Sequence, residues 1–152
     1  MNIDDAVALI KHFEGFVPEP YLCPGDVWTI GYGRTEGVTQ HTPPVDEPTA
    51  ALWLEDHVRR IIPAMDKLIH VPLVNDQWDA LISWTYNFGT GNLLASTMLR
   101  KLNRGQYDEI PREMKRWKFA GGVILPGLVR RRAAEAALFE WGTQQMAWEE
   151  AA

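Results

Sequence analysis

The sequence predicts an α+β fold: a mostly helical lobe, with a small β-hairpin lobe inserted after the first helix. Three observations carry this. Apolar residues recur at helical spacing over 3–14 and again from residue 47 onward. Residues 16–46 break the helical pattern with five prolines and four glycines. Inside that stretch Val27-Trp28-Thr29-Ile30 alternates as a strand does. The length of 152 residues fits one domain, since domains run roughly 100–200 residues.

The first helix is expected over 3–14. Asn2 is a candidate N-cap, Asp4 and Asp5 complement the helix dipole, and Gly15 sits where a C′ residue ends a helix. Ile3, Val7, Ile10 and Glu14 share one face, so a carboxylate closes the apolar stripe. Residues 16–46 form the β lobe, with Trp28 and Ile30 on one face of the strand and Val27 and Thr29 on the other. A connecting helix follows over 47–70, capped by Asp46 and kinked at Pro63. Residues 71–152 make the helical lobe. It holds a helix from Asp76 to about Asn87, a break at Gly89-Thr90-Gly91-Asn92, and a short helix capped by Ser96 or Thr97 and ending at Gly105. Another helix runs from Asp108 through Trp117, Gly121-Gly122 is a loop, and Pro126 opens a last helix to about Trp141. The tail from Gly142 is expected to fray. Two lobes imply a cleft, a usual place for a ligand.

Composition excludes several classes. At 46% hydrophobic residues the chain is no disordered segment. One cysteine allows neither an internal disulfide nor a Cys-cluster metal site. The four His lack metal-ligand spacing and no glycine-rich run opens a helix, so no metal or cofactor is expected. Gly31-Tyr32-Gly33 follows a strand without opening a helix, which is weak evidence of a phosphate loop. No stretch reaches the roughly 18 apolar residues of a membrane span, and the N-terminus lacks the pattern of a secretory signal. The net charge of −5 argues against a nucleic-acid partner, but it is uneven. Residues 98–132 hold ten bases and three acids, or +7, leaving −12 elsewhere.

Glu14 is the strongest candidate for chemistry. Burial and the C-terminal end of its helix both disfavour the charged form, as a general acid requires. The alternative is an ion pair with Arg34 or with one of Arg130, Arg131 and Arg132. Cys23 has no basic flank to form a thiolate and reads locally as a small hydrophobe. Thr29 is a good strand former that could hold a water if its face lines the cleft. Trp53, Trp78 and Trp141 fall at core spacing, whereas Trp117 stands between Arg116 and Lys118.

The spacing Glu14-x8-Cys23-x5-Thr29 resembles the catalytic pattern of the phage lysozymes, glycoside hydrolase family 24. Phe13-Glu14-Gly15, Tyr21-Leu22-Cys23-Pro24 and Val27-Trp28-Thr29-Ile30-Gly31-Tyr32-Gly33 look like its N-terminal signature. Asp79-Ala80-Leu81, Tyr86-Asn87-Phe88-Gly89-Thr90-Gly91 and Ser96-Thr97 are similar to its middle segment. Gly121-Gly122, Leu125-Pro126-Gly127-Leu128-Val129-Arg130-Arg131-Arg132 and Glu135 are similar to its last helix.

The resemblance implies a lysozyme-like fold and a muramidase. Such an enzyme hydrolyses the β-1,4 bond between N-acetylmuramic acid and N-acetylglucosamine. Glu14 takes the place of the general acid, Thr29 that of the residue positioning water, and Cys23 the middle position, where many members carry Asp. Asp26 is a lesser candidate for that carboxylate, and a solvated turn residue otherwise. Arg34 stands where the family commonly has His, and direct pairing with Glu14 would favour a more acidic optimum. By position Tyr86, Asn87, Thr97 and Trp117 are expected to line the glycan cleft. The implied partner is bacterial peptidoglycan, with no nucleic acid, no stable membrane association and a monomeric chain. An endolysin of this kind is expected in the host cytoplasm, released through a holin lesion. A lytic transglycosylase acting on the same bond and a non-catalytic wall-binding module are the alternatives.

Overall fold

The computed structural model describes residues 1–151. Helix α1 spans Asp4–Glu14, with Ala6, Val7 and Ile10 buried. The Asn2 side chain accepts the Asp4 N–H at 2.8 Å, and the Gly15 N–H closes the last turn on Lys11. Asn2 thus satisfies one of the orphan donors that every helix start leaves.

Strands β1 (Val17–Leu22) and β2 (Trp28–Gly31) form an antiparallel pair, with Tyr21 opposite Thr29 and Leu22 opposite Trp28. Pro18 and Pro20 sit within β1, which a two-stranded sheet tolerates because both strands are edges. A bulge between Val17 and Tyr21 absorbs the mismatch. The strands are joined by a tight turn. Asp26 donates its N–H to the Cys23 carbonyl at 2.9 Å and itself adopts φ 58°, the left-handed residue of a three-residue hairpin loop. Asp26 therefore serves the turn.

Helix α2 (Glu47–Leu68) is capped by Asp46, whose carboxylate accepts the Thr49 N–H at 2.9 Å. It runs unbroken through Pro63. Helix α3 (Asn75–Phe88) is the core of the helical lobe, with Leu81, Ile82 and Trp84 fully buried. The expected four-residue break after it is one residue, Gly89, at φ 87°. Thr90–Ala95 is helix α4, and α5 (Thr97–Asn103) is capped by Ser96, whose Oγ accepts the Leu99 N–H. A 3-10 turn (Tyr107–Glu109) precedes α6 (Ile110–Lys115).

The Gly121-Gly122 loop is present as the turn of a hairpin, β3 (Phe119–Ala120) with β4 (Val123–Ile124), whose strands are too short to show alternation in sequence. The tail does not fray at Gly142 as expected, because α7 continues from Pro126 to Ala151. Gly142 is a packing site rather than a stop: a Cβ there would stand 2.8 Å from Gln77 Cγ, so its small size lets α7 lie against α3. Trp141, expected in the core, is 48% exposed and meets Trp148 edge-on.

Helix α1 precedes the β lobe in sequence, yet it packs on α3. The carboxylate at its end thus belongs to the helical lobe and points at the β lobe.

Candidate active site

Glu14 is the last residue of α1, with its side chain 20% exposed. Its Oε1 accepts a hydrogen bond from Arg131 Nη1 at 2.7 Å. The ion-pair alternative is the observed one, and the partner comes from the first turns of α7. Arg34 does not pair with Glu14. Its guanidinium lies 4.5 Å from the Trp53 ring centroid, a cation–π contact.

The other side of Glu14 is bare backbone. The chain reverses between Ile30 and Arg34, which exchange two backbone hydrogen bonds of 2.9 Å. Gly33 lies inside that reversal at φ 82°, and a Cβ there would meet Glu14 Oε2 at 2.7 Å. The Gly31-Tyr32-Gly33 run therefore makes room for a carboxylate and has nothing to do with phosphate.

Cys23 is partly exposed at the start of the hairpin turn. Its thiol is held below the ordinary thiol range, chiefly by the Val27 backbone N–H, with the Gly25 N–H and the Thr29 hydroxyl adding to it against a smaller burial effect. The expectation of an unactivated thiol rested on its flanking side chains. The activating groups are backbone donors, which composition does not reveal.

Thr29 is 4% exposed, so its hydroxyl is nearly sealed in the sheet. That hydroxyl donates to the Val27 carbonyl at 2.9 Å and lies close enough to the Cys23 sulfur to favour its ionised form. Tyr21, directly across the ladder from Thr29, completes the group. Burial raises the pKa of its phenol, and the negative charges of Glu14 and Cys23 raise it further. Tyr21 was missed as a site residue, although strand pairing opposite Thr29 would have identified it.

Glu14, Pro24, Asn87, Leu125 and Arg131 share a cavity of about 830 Å³ between the lobes. Asn87 thus shares a cavity wall with Glu14. Tyr86 lies behind it, in a smaller cavity of about 90 Å³ with Gly33, Arg34 and His57. Its hydroxyl donates to the Tyr32 carbonyl at 2.6 Å, and burial, with Glu14 nearby, pushes its phenol well above the ordinary range. Trp117 is not on the cleft. It packs against Trp84 and Phe88 with centroids 4.9 and 5.1 Å away, because the aromatic face of α3 offers more apolar surface than the flanking cations. Thr97 lines neither cavity and accepts a hydrogen bond from Arg100 on its own helix.

The +7 segment is also less basic than it reads, because Arg131 and Arg132 are buried and paired with Glu14 and Glu135, which lie outside it.

A family model described as phage lysozyme matches residues 11–135. The chain belongs to the phage lysozyme family. Among phage lysozyme relatives, an endolysin of Bacillus phage B103 is 38% identical over 145 residues, covering 93% of this chain and 55% of that protein. An endolysin of Acyrthosiphon pisum secondary endosymbiont phage 1 is 36% identical, covering 92% of this chain and 99% of its own length. The chain thus spans about half of one curated relative and nearly all of the other. Among solved structures, the muramidase domain of SpmX from Asticaccaulis excentricus superposes with a TM-score of 0.82 at 34% identity, covering 91% of this chain and 97% of that one. An endolysin from Escherichia coli O157:H7 phage FAHEc1 gives 0.80 at 31% identity, covering 91% and 93%. The phage lysozyme architecture, a small hairpin lobe on a mostly helical one, is the one built here. No helix among its described residues is long and apolar enough to cross a membrane.

Proposed function

We propose that this chain is a peptidoglycan muramidase of glycoside hydrolase family 24, acting as an endolysin. The observation that carries the reading is the placement of Glu14. A carboxyl group on the wall of an interlobe cavity is held between Arg131 and the bare backbone of Gly33, and the Tyr21 phenol feels both its charge and that of Cys23.

In this reading the bond between the muramic acid C1 and the glycosidic oxygen breaks, and the proton on Glu14 passes to the leaving oxygen. A water oxygen bonds to C1 and its proton passes to the Cys23 thiolate, while Thr29 orients the thiolate through its hydroxyl. The thiolate also supplies a negative charge near the oxocarbenium-like centre. The N–H donors of Val27 and Gly25 support that charge, since they favour the ionised sulfur. Asn87 lines the glycan cleft, and Tyr86 shapes it from behind. The whole chain acts as one domain, synthesised in the host cytoplasm and released to the wall with a holin.

The test is hydrolysis of purified peptidoglycan by wild type and Glu14→Gln, with product masses. The expected result is a loss of about 10²-fold or more in rate in the variant. Wild-type products should carry reducing ends, one water heavier than the anhydromuramic ends of a transglycosylase. Wall lysis that survives Glu14→Gln refutes the acid role, and anhydro products refute hydrolysis.

A further inference from the structure

An acid that must carry a proton is here bound to a guanidinium. Arg131 donates to Glu14 at 2.7 Å, so whatever fixes that guanidinium and balances its charge also sets the surroundings of the acid. The structure holds a second carboxylate on the far side of the same guanidinium. Glu135 is fully buried, one turn along α7, with Oε1 3.3 Å from Arg131 Nε. The Nε–H is not aligned for a hydrogen bond, so this contact is one of charge. Glu135 Oε1 also accepts from Arg132 Nη2 at 2.5 Å and from Ser83 Oγ at 3.3 Å. Ser83 in turn takes Arg131 Nη2 on its carbonyl at 3.1 Å. Arg131 is therefore gripped on three sides, by Glu14, Ser83 and Glu135.

We propose that Glu135, with Ser83, is the positioning pair of this site: it fixes the Arg131 guanidinium and offsets its charge, so that Glu14 can hold a proton at the working pH. The proposal rests on the acid role of Glu14. The titratable groups around Glu14 are Tyr21 from the β lobe, Tyr86 from α3, Arg131 and Arg132 from α7, and, on the same cavity wall, His12 from α1 and Arg130 from α7. Glu135 reaches Glu14 only through Arg131. Burial pushes the Glu135 carboxyl up, and the two guanidiniums oppose that rise. The alternating row Glu14, Arg131, Glu135, Arg132 sums to zero. Removing the Glu135 charge leaves two buried guanidiniums facing one carboxylate. Glu14 then loses its proton at lower pH, and the alkaline limb of the rate profile, which reports that proton, moves down.

The experiment is the pH dependence of peptidoglycan hydrolysis by wild type, Glu135→Gln, Glu135→Asp and Ser83→Ala, with Glu14→Gln as the reference. Glu135→Gln is expected to move the alkaline limb down by about one pH unit, with kcat reduced and KM unchanged. Glu135→Asp keeps the charge and should restore at least half of that shift. Ser83→Ala, a small change that the fold tolerates, should lower kcat about threefold to tenfold at unchanged KM. A limb that stays in place in Glu135→Gln overturns the proposal, as does an equal shift in Glu135→Asp. If Glu135→Gln does not fold, an unchanged kcat in Ser83→Ala overturns it. Loss of activity in Glu14→Gln beside an unmoved limb rejects only the Glu135 role; activity retained in Glu14→Gln rejects the acid reading itself.

Discussion

Replacing Asp79 with Asn should stabilise the protein at neutral pH and leave it nearly unchanged at pH 4. Asp79 is 0% exposed on α3, facing the start of α1. Its Oδ2 accepts from Asn75 at 3.2 Å, and its Oδ1 is buried with no hydrogen-bond partner. Burial, then the charges of Asp5 and Asp76, raise its pKa from 3.8 to about 7. A raised carboxyl is protonated in the folded state while the unfolded chain has already ionised. Folding therefore loses stability as pH climbs from about 4 to about 7, and the loss levels off above that. The rise from 3.8 to about 7 sets a ceiling of about 4 kcal/mol. Asn matches the protonated carboxyl in shape, keeps a carbonyl oxygen to accept from Asn75, and has nothing to titrate. Urea unfolding of both proteins at steps between pH 4 and pH 8 gives the stability difference directly. That difference should grow with pH across the window and then stay constant. A difference that is flat with pH would refute the reasoning, because Asp79 would then be ionised in the fold at low cost.

Three further outcomes follow from the site. Cys23→Ser should lower the hydrolysis rate by about 10²-fold, and alkylation of Cys23 should follow an apparent pKa below the ordinary 9.0; full activity in the variant removes the thiol from the mechanism. Gly33→Ala should lose activity and about 1–2 kcal/mol of stability, since the new Cβ meets Glu14 Oε2 at 2.7 Å on a backbone of φ 82°; wild-type activity and melting temperature would contradict the close approach. Arg34→His should leave the pH–rate profile in place, because Arg34 stacks on Trp53 and does not touch the Glu14 carboxylate; a shift of the alkaline limb would show that its charge reaches the acid.

What the sequence revealed and what it hid divide by range. Asn2, Asp46, Ser96 and Gly15 marked element ends because capping is settled within a few residues. Glu14 was legible for the same reason, as the end of an apolar stripe. Its partner was not, because Arg131 is 117 residues away and only tertiary packing chooses among three adjacent arginines. Gly142 misled because a glycine that permits close packing looks in sequence like one that ends a helix. Trp117 misled because its charged neighbours in the chain are not its neighbours in space. The activation of Cys23 was invisible in side-chain composition, since its donors are main-chain N–H groups that any sequence with that turn would supply.

The seam between the lobes divides the chemistry unevenly. Glu14 and Arg131 both belong to the helical lobe, whereas Cys23 and Thr29 ride on the hairpin. The Tyr86 hydroxyl on the Tyr32 carbonyl fastens one side to the other across that seam. The proposed acid and its guanidinium are thus carried on one rigid framework, while the thiol belongs to another. Their separation is set by how the two lobes are joined, and the Tyr86–Tyr32 hydrogen bond is one of the joints.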